Sequence, residues 1–78
     1  MGYLDISKYT IDTALKEILV NENSHFFAGD ISVGDNYITK DHGDYVEINI
    51  GASTPKGHVS YDLYFDSNGH LTRHKKHN

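Results

Sequence analysis

A chain of 78 residues, 37% apolar, with nine aromatics and no cysteine, makes one small domain that neither disulfides nor thiolate-held metal can staple. Its net charge of −4 argues against general nucleic-acid binding, which needs a broad basic footprint. No apolar run approaches the roughly 20 residues of a membrane span, and no basic-plus-apolar leader opens the chain, so a cytoplasmic protein without membrane contact is expected.

The first element is a helix. Ile11, Ala14, Leu15, Ile18 and Leu19 follow the i, i+3, i+4, i+7, i+8 series of an amphipathic helix. Ser7 or Thr10 can cap its start, and Asn21 or Asn23 suits its end, so the spacing predicts a helix over about 8–21.

After the helix the apolar period changes to two. A strand over about 25–33 places Phe27, Gly29, Ile31 and Val33 on one side, Gly34-Asp35 reads as a type II′ turn, and about 36–40 forms a short second strand. "DHGD" marks another turn. The strand over about 44–52 alternates most cleanly, with Val46, Ile48, Ile50 and Ala52 inward and Tyr45, Glu47 and Asn49 outward. "STPKG" holds the only proline. The strand over about 58–66 then points Val59, Tyr61, Leu63 and Phe65 inward and His58, Ser60, Asp62 and Tyr64 outward.

The last element follows "DSNG", which fits a type I turn with glycine in the left-handed position and a three-residue hairpin loop. That loop sets Asp66 opposite His70, Phe65 opposite Leu71, Tyr64 opposite Thr72 and Asp62 opposite His74, in a strand over about 69–75 with a loose end from Lys76. A two-residue turn would expose Leu71, because a one-residue slip exchanges the faces. The expected architecture is α+β: one N-terminal helix packed on one face of a four- to five-stranded antiparallel sheet.

Charge is unevenly spread. Residues 1–53 carry nine acids against three lysines (−6), and residues 54–78 carry Lys56, Arg73, Lys75 and Lys76 against Asp62 and Asp66 (+2). The result is an acidic body with a basic, histidine-rich end.

With a helix on one face, function falls to the other. Its expected binding surface is Tyr45, Glu47, Asn49, His58, Asp62, Tyr64, Thr72 and His74, because exposed aromatics are the usual anchors of a protein contact. Short length, an acidic body and no motif of catalytic specificity point to a small binding module of bacterial or phage style. Inhibitor, immunity or regulatory roles fit, and the partner is another protein or, by self-association, a second copy. Nucleic acid is expected only at the basic "RHKKH" end.

The alternative is a metal-independent, ribonuclease-like effector. His74 oriented by Asp62 would be the base, His58 its counterpart, and Arg73 or Lys76 the cation for developing charge. An Asp62–His74 pair is also an ordinary cross-strand contact, worth a few tenths of a kcal/mol up to about one. No cofactor or metal is expected. There is no HExxH and no strand His-x-His, and His70 and His74 would stand about 13 Å apart along a strand. An imidazole acts as a pH switch only with a partner group or burial, so the histidines alone do not make one.

Overall fold

The computed structural model describes residues 6–23 and 25–77. The helix α1 runs Lys8–Glu22, and a single 3-10 turn, Ala28–Asp30, leads into four strands: β1 Ser32–Asp41, β2 Tyr45–Thr54, β3 Gly57–Asp66 and β4 Leu71–His77. The strands form one antiparallel meander in the order β1-β2-β3-β4, with the helix on one face. The α+β architecture expected from the periodicity is therefore the one observed.

The helix begins where Ser7 accepts a hydrogen bond from the Thr10 amide, and it closes where the Asn23 backbone and side chain both donate to the Leu19 carbonyl. These contacts satisfy backbone groups that a helix end leaves unpaired. Ile11, Leu15, Ile18 and Leu19 are buried against Val46, Ile48, Ile50, Ala52, Tyr61, Leu63 and Phe65, which together with Ile6, Phe26 and Ile31 form one core. Burying a side chain of this size stabilises by about 1.5–3 kcal/mol.

Three expectations are corrected. Gly34-Asp35 makes no hairpin turn. Both segments flanking it belong to β1 and pair with β2, and the register moves from Val33↔Ala52 to Tyr37↔Ile50 across a bulge. Gly34 lies so close to the opposite chain that a Cβ there would meet the Gly51 carbonyl oxygen at 3.2 Å, and Asp35 reaches back to Lys8 on the helix, 3.6 Å away. Glycine followed by aspartate serves a bulge as readily as a turn.

The second correction is before β1. The Asp30 carboxylate accepts the Phe27 amide and closes the 3-10 turn, which breaks strand alternation there; Phe26 enters the core and Phe27 is 74% exposed.

The third concerns β4. Gly69 has φ +82°, Asp66 bonds the His70 carbonyl and Phe65 pairs with Leu71, as a three-residue loop requires. Beyond that point Tyr64 pairs with Arg73, not Thr72, so Thr72 is a bulge. Its hydroxyl donates to the Tyr64 carbonyl at 3.2 Å. Every later residue moves by one: Leu63↔His74, Asp62↔Lys75, Tyr61↔Lys76, Ser60↔His77. Lys76 and His77 are therefore paired strand residues and not a loose end.

Candidate functional site

The bulge decides which side chains reach the open face of the sheet. Arg73, Lys75 and His77 lie on it, alongside Tyr64, Asp62 and Ser60 of β3. His74 lies on the helix side, its ring centroid 6.1 Å from that of Tyr61, and Lys76 borders a cleft there with Leu19, Glu22 and Tyr61. The expected pair of Asp62 with His74 is not formed, and Thr72 joins neither regular row. The imidazole near Asp62 belongs to His77, whose Nδ1 is 3.5 Å from Oδ2.

Asp62 is the one buried charged residue among those described, at 8% exposure. A buried carboxylate needs hydrogen bonds to offset lost hydration. Asn49, its cross-strand neighbour, supplies one: Nδ2 donates to Asp62 Oδ1 at 2.7 Å and also to Glu47 Oε2 at 2.9 Å. Glu47 Oε1 in turn lies 2.9 Å from His42 Nε2. A polar chain His77–Asp62–Asn49–Glu47–His42 thus crosses the open face. The Asn49 amide, and next the His42 ring, hold the Glu47 carboxyl below the usual carboxylate range.

A second row crosses the same face closer to the turns. His42 stacks on Tyr45 at 4.5 Å and 17°, Tyr45 and Tyr64 are 6.0 Å apart at 47°, and the Arg73 guanidinium carbon sits 4.3 Å over the Tyr64 ring. Strand alternation places Tyr45 and Tyr64 on this face, and the bulge brings Arg73 to them. His42 joins the two rows, because the turn closed by its amide on the Tyr45 carbonyl folds it back over β2.

Between the polar chain and β1 lies an open depression of about 340 Å³, bordered by Ile38, Lys40, Gly51, Ser60, Asp62 and His77. Ile38 is 60% exposed. Glycine at 51 leaves the floor bare.

Five of the expected surface residues, Tyr45, Glu47, Asn49, Asp62 and Tyr64, meet in these rows. His58 shares the face but turns to Ser53, 3.4 Å away, at the end near the β2–β3 turn. The five residues named for catalysis are split: His58, Asp62 and Arg73 on the open face, His74 and Lys76 on the other. His42, Ile38 and His77 were missed. Only His42 carried a signal, since a turn residue three positions before an outward tyrosine can return its ring onto it.

Chemically, the face offers hydroxyls, an arginine edge and three imidazoles, of which those of His42 and His77 end the polar chain through Asp62, Asn49 and Glu47. Its formal charge is balanced, with Glu47, Asp62 and Asp66 against Lys40, Arg73 and Lys75. No cluster of three or more potential metal ligands occurs among the described residues. No family model matches the chain, and neither the curated proteins nor the solved structures contain a significant match to it. Among the described residues no helix is long and apolar enough to cross a membrane.

Proposed function

We propose that this chain is a small protein-binding module, acting as an inhibitor, immunity or regulatory protein through the open face of its sheet. The observation that carries this reading is the preformed row His42–Tyr45–Tyr64–Arg73. Tyrosine and arginine are the residues that most often anchor a protein contact, and side chains already held by neighbours lose little freedom on binding. Stacking of His42 on Tyr45 and of Arg73 on Tyr64 takes up ring faces that nucleobases would need, which favours a protein over single-stranded nucleic acid. With charge on the face balanced, aromatic area and hydrogen bonds would carry the affinity. The test is capture of a partner from a lysate of the source cells by the wild-type protein, with loss of that partner in Tyr45→Ala/Tyr64→Ala of unchanged circular dichroism. If the wild type retains nothing, or the double variant retains the same protein, the reading fails.

One observation favours a second reading, a metal-independent ribonuclease-like effector: a carboxylate held by Asn49 lies beside an imidazole at the border of an open depression. His77 takes the role of base that the sequence suggested for His74, Asp62 orients it, and Arg73 or Lys75 faces the developing charge. This reading requires RNA cleavage that survives chelator and disappears in His77→Ala. Intact RNA after prolonged incubation removes it.

A further inference from the structure

We infer that the outer edge of β4 is a docking site for an extended acidic segment of a partner protein, which adds to the sheet as a fifth strand. The inference is independent of the open-face reading.

No further strand pairs with β4 among the described residues, so its outer backbone groups are unpaired within the sheet. From Arg73 to His77 the pairing with β3 is regular, and all five residues are exposed. An edge of this kind is a template for a further strand. Its side chains have one sign. Arg73, Lys75 and Lys76 stand there with His74 and His77, no acid interrupts them, and none of the three cations has a carboxylate in ion-pairing range among the described residues. Lys75 stands opposite Asp62 in the ladder without pairing to it, because that carboxylate is engaged by Asn49 and approached by His77.

The placement of the cations selects the occupant. Arg73 and Lys75 point to the open face, His74 and Lys76 to the helix face. A phosphate backbone lying across one face would meet only the basic side chains of that face. A polypeptide strand in the plane of the sheet passes between the two sets, where acidic side chains on both of its faces find partners and its main chain pairs with β4. A second copy does not fit. Two β4 edges together would oppose cation to cation, and the regular stretch of β1, Tyr37–Asp41, offers Asp41 but also Lys40. Basic side chains on an edge exclude indiscriminate pairing while admitting an acidic strand, so protection and specificity coincide.

The experiment is an amide NMR titration of the full chain with a capped Val-Thr-Glu-Glu-Glu-Glu-Thr-Val peptide. The same peptide with lysine for glutamate, and an oligothymidylate of matching charge, are titrated in parallel. Saturable shifts and slowed amide exchange centred on Arg73–His77 are expected with the acidic peptide alone. Lys75→Glu/Lys76→Glu is expected to weaken binding about tenfold or more while leaving the spectrum of β1 unchanged. Lys75→Gln/Lys76→Gln, a milder change, is expected to weaken it severalfold. The inference is overturned by an absence of shifts at millimolar peptide, by shifts centred on Tyr45 and Tyr64, or by equal binding of the lysine peptide. Tighter binding of the oligothymidylate assigns the edge to nucleic acid, and concentration-dependent β4 shifts without any peptide assign it to self-pairing; either overturns it as well.

Discussion

Tyr64 and Arg73 pair across the β3–β4 ladder, and the guanidinium lies 4.3 Å over the phenol ring. Thr72, the residue between Leu71 and Arg73, is the bulge that allows this: with it Leu71 turns inward, and Arg73 turns outward two positions later. Removing Thr72 would leave Leu71 and Arg73 adjacent, which is the parity that an unbroken ladder needs. Deletion of Thr72 is therefore expected to keep Arg73 over Tyr64 and to change stability by no more than about 1 kcal/mol, since the lost hydroxyl contact is offset by a regular ladder. Chemical denaturation and the ring-current shift of the Arg73 side chain measure this. Loss of that shift with a large fall in stability would mean that the local twist of the bulge is itself required.

Asn49 separates two carboxylates. Its one amide nitrogen donates to both Glu47 and Asp62, so Asn49→Asp removes two hydrogen bonds and sets a third carboxylate between them. The expected cost at neutral pH is about 2–4 kcal/mol, because Asp62 is buried and loses its donor. Glu47 makes the effect depend on pH: its folded carboxyl titrates below its ordinary 4.5 in the wild type, with the Asn49 amide as the largest cause. A depressed value stabilises the fold above 4.5 and is lost as pH falls through the folded value. The variant lacks that contribution and gains repulsion that protonation relieves, so its deficit is expected to shrink on acidification. A deficit independent of pH from 7 to about 3 would contradict this account.

How far the sequence discloses the structure depends on what decides each element. The helix is legible because its apolar period and its caps at Ser7 and Asn23 are local. The inward rows of β2 and β3 are legible for the same reason, and so is the last loop, where Gly69 alone can take φ +82° without strain. The Gly34 bulge is not, since only the pairing of β1 along β2 on both sides of it, from Val46 to Ser53, distinguishes it from a turn. The bulge at Thr72 is not legible either. A single unpaired residue inverts every face beyond it, which is why His74 and His77 exchange places beside Asp62. The candidate site was thus readable on the two central strands and unreadable on the two edges.

Tyr61 lies in the core at 2% exposure, and its hydroxyl donates to Glu22 at the end of the helix. Burial, then the bond to Glu22, pushes the phenol above its ordinary value of 10.0. A raised folded value means that the protonated phenol stabilises the fold fully below pH 10, and that this contribution is lost as pH rises from there toward the folded value. Spectrophotometric titration of the folded chain is expected to show one of its six tyrosines ionising after the others, and Tyr61→Phe to remove that late step. Because Glu22 is exposed and returns to water, Tyr61→Phe is expected to cost about 1 kcal/mol. A late step that persists in the variant would assign it to another tyrosine.

Asp66 fixes the hairpin that presents β4. Its Oδ1 accepts from the amides of Asn68 at 2.9 Å and His70 at 3.0 Å, while its own amide closes the loop on the His70 carbonyl. The His70 amide is the largest cause holding its carboxyl below the ordinary 3.8. The charged form therefore stabilises the hairpin above pH 3.8, and this contribution is lost as pH falls through the lower folded value. Acid titration followed at the amides of Asn68 and His70 is expected to show both shifting together below pH 3.8. In Asp66→Asn, which keeps an acceptor oxygen but no charge, that joint step should vanish while Phe65 still pairs with Leu71. Asp66→Ala removes the acceptor too, and should loosen β4 first, with faster amide exchange at Leu71 and Arg73 than at any residue of β2. Exchange that quickens evenly through the sheet would show that the loop does not act locally, and that the register of β4 is held by Leu71 in the core instead.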